Sequence, residues 1–183
     1  YTHSKESTIM EVYEAIRTVL AVREFQNRPV PQKVIRKIIE SARLTASSMN
    51  GQPWHFVIIQ NRDTLLKLGS LVKPGSYNAH AAFSVAVAIE KASPYGISDA
   101  SRAIQSMVLT AWEEGIGSNW TGWVGMTNVA SFLGIPEGMD VIAVVPFGYP
   151  VHERVKGKKR RKGIQEIAHS ELFGRPLDLH DIG

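Results

Sequence analysis

Apolar residues recur at helical spacing near the start of the chain: Ile9, Val12, Tyr13, Ile16, Val19 and Leu20 predict an amphipathic helix over about Ile9–Ala21. Thr8, followed three residues later by Glu11, has the form of a capping box for it. A second helix is expected after Val30-Pro31, with Val34, Ile35, Ile38, Ile39 and Ala42 on one face and Pro31 near the first turn, where a missing N–H is tolerated. Thr45–Pro53 is small and polar and reads as a loop. Trp54–Gln60 is apolar and β-branched, a buried strand, and Asn61 or Asp63 then caps a short helix through Leu65, Leu66 and Leu68.

Lys73-Pro74-Gly75 breaks the pattern before Ala82–Glu90, where Val85, Val87 and Ile89 mark a second strand. Ser98 is expected to cap a long helix, Asp99–Glu114, with a broad apolar face made by Ala100, Ala103, Ile104, Met107, Val108, Ala111 and Trp112. Gly115 is placed to end that helix in the left-handed conformation. A Gly- and Trp-rich loop, a short helix Thr127–Leu133 and a third strand Val141–Phe147 follow. After Gly148 come a basic segment, a short helix expected over Ile164–Ser170, and a polar end, Leu172–Gly183. Helices alternating with few strands, without repeat or linker, predict one α+β domain over residues 1–183, a sheet flanked by helices.

Composition narrows the function classes. A chain of 183 residues, 44% of them hydrophobic, is of single-domain size and buries about 70% of its unfolded surface. It contains no cysteine, which excludes disulfides, thiolate metal sites, iron–sulfur clusters and a cysteine nucleophile, and a cytoplasmic setting is expected. The longest apolar run, Ala79–Ile89, is interrupted by His80 and Ser84 and falls short of the ~18–20 residues a membrane span needs. Tyr1–Ser7 has no apolar stretch, so no leader peptide is expected.

The pI near 9.4 changes meaning once the charge is located. His152–Lys162 carries seven Lys/Arg against Glu153, or +6, so the other 172 residues sum to −2 of the formal +4. Three readings are open for this segment: a solvated surface, a nucleic-acid contact, or a clamp in which one or two cations hold a single phosphate. No aromatic residue is interleaved in it, which disfavours single-strand nucleic-acid recognition.

Ser47-Ser48-Met49-Asn50-Gly51-Gln52-Pro53-Trp54 packs hydroxyls and amides immediately before a strand. Such groups offer donors and acceptors together, as a heteroaromatic edge with carbonyl and N–H groups requires; the alternative is a plain turn. Gly115-Ile116-Gly117-Ser118-Asn119-Trp120-Thr121-Gly122-Trp123 follows a helix and lacks the dinucleotide-binding glycine spacing, so a Rossmann site is not supported. Its glycines would let backbone approach a flat ligand, with Trp120 or Trp123 packing on it or lying in the core. His55 reads as a partly buried histidine, and His80, His152 and His169 lack metal-ligand spacing. No G-x-S-x-G elbow is present, and hydrolase chemistry has little support.

In chain order, Val22-Arg23-Glu24-Phe25, the Ser47–Trp54 element, Gly115-Ile116-Gly117-Ser118, Gly134-Ile135-Pro136, Gly148-Tyr149-Pro150 and Lys159-Arg160-Arg161-Lys162 resemble the FMN-dependent nitroreductase family over roughly Glu11–Gly174. The resemblance implies an α+β fold with a central, mainly antiparallel sheet, and an intertwined homodimer. FMN would lie in the interface, and a swapped C-terminal arm, about 164–183, would extend over the partner. By that resemblance Arg23, Lys159 and Arg161 would hold the FMN phosphate or ribityl chain, and Ser47, Ser48, Asn50 and Gln52 would line the ribityl and ring portions. Trp120, Thr121 and Gly122 match the loop lying against the ring, which presents backbone N–H toward flavin N5. Val19 and Ala21 depart from the family, which has a basic residue and a small hydroxyl there; Arg160 or Arg17 is the expected replacement. Little chain lies between Gly122 and Thr127 to cover the ring, so an open substrate pocket is expected.

The implied activity is hydride transfer from NADH or NADPH through flavin N5 to a small-molecule acceptor such as a nitroaromatic or quinone, by a ping-pong mechanism. The flavin carries that chemistry, so no catalytic side chain and no metal are expected. An FMN-binding module without turnover, or a specialised flavin reductase or dehalogenase on the same fold, is the alternative. Neither a nucleic-acid nor a membrane partner is expected.

Overall fold

The computed structural model describes residues 10–122, 124–152 and 159–177. Thr8 and Ile9, Trp123, Glu153 and the basic residues Arg154, Lys156 and Lys158, and residues 178–183 lie outside the described residues. Four strands make one antiparallel sheet in the order β1-β2-β4-β3: β1 Trp54–Ile59, β2 Phe83–Glu90, β3 Gly117–Ser118 and β4 Met139–Gly148. Among the described residues five helices flank it, α1 Val12–Thr18, α2 Gln32–Arg43, α3 Arg62–Leu71, α4 Gly96–Glu113 and α5 Met126–Leu133, giving the α+β class expected.

Both faces of the sheet are covered, which is why β2 reads as an almost unbroken apolar run. Phe83, Val85, Val87 and Ile89 pack with Ala143, Val145 and Phe147 against α2 and α4. On the other face Ala86, Ala88, Val141 and Val144 meet Leu65 and Leu68 of α3 and Val129 of α5. Phe83 and Phe147 are register partners whose rings stack 4.8 Å apart across the middle strands. Among the described residues no helix is long and apolar enough to cross a membrane.

Most elements lie within two or three residues of their expected bounds, and the Asn61 side chain caps α3 by accepting the Thr64 N–H. Gly115, at φ 80°, ends α4 in the left-handed conformation as its position suggests. Four expectations are corrected. Helix α4 starts at Gly96, so Ser98 lies inside its first turn and donates to the Tyr95 carbonyl instead of capping. Helix α1 ends at Thr18, short of Ala21, because the next residues are captured by the sheet: the Val22 N–H donates to the Ser118 carbonyl and Phe25 bridges Pro150. Gly117 and Gly148 make that approach possible, since a Cβ on either would lie 2.5 Å from Val22 or 2.8 Å from Phe25. A two-residue strand, β3, pairs with β4 through Gly117–Gly148 and Ser118–Phe147 inside a stretch expected to be loop.

The helix expected over Ile164–Ser170 is only a 3-10 turn, Ile164–Glu166, after which the chain reverses with Ser170 N–H donating to Arg175. Ile164, Ile167, Leu172 and Phe173 are exposed, Phe173 by 94%. Without a core to cover one face, a short helix is marginal. The apolar face of α1 is likewise open: Ala15 is its buried residue, while Val12, Tyr13 and Ile16 are exposed.

Candidate functional site

The Ser47–Gln52 loop leaves α2 and turns into β1 through backbone that side-chain-bearing residues rarely adopt. Met49, Asn50 and Gln52 all have left-handed φ, at 53°, 55° and 49°. Each costs roughly 1 kcal/mol or more against ordinary backbone, so the surrounding contacts must hold them there. Ser47 Oγ accepts the Gln52 N–H at 3.0 Å, closing the loop on itself. Ser48 donates from its N–H and its hydroxyl to Asp99 of α4, both at 3.0 Å. Hydrogen bonds to a charged acceptor are worth about 1.5–3 kcal/mol each, enough to offset the strain. Asn50 and Gln52 are exposed, with amides that can both donate and accept.

Trp120, Thr121 and Gly122 run along the outer side of β4. Trp120 is partly exposed, so it is a surface tryptophan and not a core one. Thr121 is buried, and its N–H and hydroxyl both donate to the Val144 carbonyl, while Val144 N–H donates back. The Thr121 amide is therefore committed to the sheet. The Gly122 N–H donates to no atom among the described residues, which leaves it available to a ligand. Gly122 has φ 150°, and a Cβ there would meet the Ile142 carbonyl oxygen at 2.7 Å, so only glycine lets this strand lie so close to β4. Asn119 Nδ2 donates to the Tyr77 hydroxyl at 2.6 Å, fixing the residue before Trp120.

The cations gather at the C-terminal end of α1. Lys159 Nζ donates to the Ile16 carbonyl at 2.7 Å, and desolvation, then the charges of Arg161 and Arg17, hold its pKa below the usual lysine value. Arg17 also makes a two-pronged contact with Glu14, at 2.8 Å for both bonds. Arg161 and Arg160 are exposed. Arg23 is exposed too, with no side-chain partner among the described residues, on the stretch stitched between Ser118 and Val151.

Within one chain, no hydrogen bond or ion pair joins the Ser47–Gln52 loop to the Arg17–Lys159 group among the described residues. An open groove lined by Met10, Val12, Ala15, Leu44, Ser106 and Leu109 lies between α1, the end of α2 and α4. Among the described residues no three His, Asp or Glu side chains are grouped as metal ligands.

Sequence reading missed Asp99 as part of the site, although its helical phase with Ala103 and Met107 marks it for the buried face. It named Arg17 only as a substitute, and the Lys159 bond beside it could not be read from local pattern.

A model of the nitroreductase family matches residues 17–87 and 77–149. The chain belongs to the nitroreductase family. As a nitroreductase-family protein it is an oxidoreductase, and the matched span holds the Ser47–Gln52 loop, α4 and the Trp120–Gly122 strand, while the basic segment and the residues after it lie beyond it. A relative from Methanothermobacter thermautotrophicus, provisionally named NADH dehydrogenase/NAD(P)H nitroreductase, is 32% identical over 149 residues, which are 77% of this chain and 78% of that protein. A crystal structure from Parabacteroides distasonis with the same provisional name superimposes with a TM-score of 0.81 at 26% identity, over 88% of this chain and 98% of that one. An FMN-dependent nitroreductase from Clostridium difficile has the same fold, with a TM-score of 0.79 at 21% identity over 87% of this chain and 98% of that one.

Proposed function

We propose that this nitroreductase-family chain is an FMN-dependent oxidoreductase that works as a homodimer, taking hydride from NADH or NADPH and delivering it to a nitroaromatic, quinone or similar acceptor in a ping-pong cycle. The reading is carried by the loop Ser47–Gln52, with left-handed backbone at Met49, Asn50 and Gln52 and the neutral amide side chains of Asn50 and Gln52 exposed. A polyhydroxylated chain ending in a flat ring edge of carbonyl and N–H groups is the ligand such a loop suits.

The remaining residues fit the other parts of FMN. Arg17, Lys159 and Arg161, with Arg23 as a further exposed guanidinium, would hold the phosphate by charge-assisted hydrogen bonds. Arg17 thus serves where the family residues at positions 19 and 21 are replaced by Val19 and Ala21. Ser47, Ser48, Asn50 and Gln52 would line the ribityl chain and ring. Trp120 would pack by the ring, Thr121 would hold that strand to β4, and Gly122 would offer its N–H to the N5 region. When bound, the flavin supplies reversible hydride chemistry that no side chain here has. The protein's part is to bind, orient and exclude water, and none of its side chains needs to act as acid, base or nucleophile.

The loop and the cations belong to separate parts of one chain, and a second copy would bring them to one ligand. The open face of α1 and the exposed apolar residues of the arm, about 164–183 within the single domain 1–183, supply the surface for that partner. A chain without cysteine suits the reducing cytoplasm.

The purified protein is expected to be yellow, with flavin absorbance bleached by NADH or NADPH without oxygen and restored by a quinone. Protein that stays colourless after FMN is added overturns the reading. Uptake of FMN with no NAD(P)H oxidation selects the binding module without turnover.

A further inference from the structure

Asp99 is the only buried charged side chain among the described residues, 1% exposed. It lies in the first turn of α4, where free N–H groups and the helix dipole favour a negative charge. Ser48 N–H donates to Oδ2 and Ser48 Oγ to Oδ1, each at 3.0 Å, and the Arg102 guanidinium, one turn along the helix, donates to Oδ1. For the core alone a carboxylate here is a poor choice, because an apolar side chain would pack against the same neighbours without desolvation. Arg102 of the same helix compensates its charge, and its other two bonds reach a loop 51 positions earlier.

Ser48 stands immediately before the left-handed backbone of Met49, Asn50 and Gln52. The two serines divide the work. Ser47 closes the loop across to Gln52, and Ser48 ties it to the helix. Met49 is 92% exposed, so packing of its side chain within the chain does not hold the loop.

We propose that Asp99 is the positioning residue of the cofactor site, holding Ser48 by both of its donors and so fixing the loop in the shape that presents Asn50 and Gln52 to FMN. The proposal rests on the FMN reading above. Asp99 acts before the ligand arrives, by removing the freedom that binding would otherwise have to remove. It also sets the polarity of Ser48: the hydroxyl has one proton, already given to Asp99, and its oxygen accepts from Arg102 at 3.4 Å, so toward a ligand it can only accept, through its remaining lone pair. The ligand group facing Ser48 is therefore a donor, a ribityl hydroxyl or a ring N–H.

The test is Asp99→Asn, which keeps the shape but replaces one acceptor oxygen with an NH2 group. Two quantities are read: FMN affinity, by quenching of flavin fluorescence with FMN-free protein, and backbone hydrogen exchange in a peptide covering residues 45–53 of the FMN-free protein. Affinity is expected to fall at least tenfold, and exchange in the loop to quicken at least tenfold with β2 and β4 unchanged. An affinity within twofold of the parent, or unchanged loop exchange, overturns the proposal. Quicker exchange in β2 and β4 as well makes Asp99 a general stabiliser and also overturns it. If Asp99→Asn does not fold, Ser48→Ala removes one of the two bonds, and loop exchange unchanged in that variant is equally fatal. Parent protein that takes up no FMN overturns the cofactor reading, and Asp99 then stands or falls as the anchor of the loop on the exchange result alone.

Discussion

Lys159 Nζ donates a 2.7 Å hydrogen bond to the main-chain carbonyl of Ile16, 143 positions earlier in the chain. The ammonium thereby sits at the last turn of α1, where carbonyls lack helical partners and the dipole favours a cation. It also stands beside Arg17, and Arg161 adds a third positive charge. Arg17 is paired with Glu14, yet its charge and that of Arg161 still disfavour the Lys159 ammonium, and a phosphate would relieve that repulsion.

Removing a phosphate contact should therefore cost more than removing an ordinary surface charge. Arg17→Ala and Arg161→Ala are each expected to weaken FMN binding by roughly tenfold to a hundredfold, the worth of a charge-assisted hydrogen bond. Arg43→Ala, whose parent side chain is an exposed partner of Glu40, should stay within about twofold. Titration of the FMN-free variants measures all three, and equal effects would refute the phosphate assignment.

The depressed pKa of Lys159 gives the affinity a pH dependence of definite sign. Below that pKa the ammonium is charged and the anion binds fully; as pH rises through it, short of the ordinary 10.5, affinity falls. Lys159→Arg keeps its charge and should lose this component. For the FMN-free protein the linkage runs the other way: the unfolded lysine holds its proton more tightly than the folded one, so this group adds stability as pH rises through its folded pKa. Calorimetric FMN titrations across about pH 7 to 10, in the parent and in Lys159→Arg, test the binding half.

Gly122→Ala puts a Cβ 2.7 Å from the Ile142 carbonyl oxygen, on backbone at φ 150°. The expected loss is about 1–3 kcal/mol, the usual cost of overpacking. That corresponds to a fall of several degrees in the thermal midpoint of a chain this size. Gly134→Ala, also at positive φ but with no atom within 4 Å of the added carbon, should cost less.

The exposed side chain of Ile16 lies on the open face of α1. Ile16→Asp is expected to turn a dimer into a monomer and to remove the yellow colour together with the dimer. Light scattering after gel filtration measures the mass. A variant that remains dimeric and yellow would show that α1 is not at the interface.

The residue pattern was sufficient for α2, β1, α3, β2, α5 and β4, because each has a face or a whole surface in the core and burial leaves its period in the sequence. It also marked the Ser47–Gln52 stretch and the cationic segment, since unusual densities of amides, hydroxyls or charges are local properties. It failed where a local signal was outbid by a distant partner. Val19–Ala21 continue the helical pattern of α1, yet Gly117 and Gly148 let the following residues pair with Ser118 and Pro150, and extended backbone wins. Ile164 and Ile167 carry helical spacing, but they stay exposed among the described residues.

By itself, then, the sequence determined the class of fold, the order of its elements and the chemical character of the candidate ligand groups. Only the tertiary structure decided that Asp99 holds Ser48, that Lys159 caps α1 beside Arg17, and that the Thr121 amide is spent on Val144 while that of Gly122 is not. Periodicity records that a side chain is buried or exposed; it does not record which residue, 51 or 143 positions away, it meets.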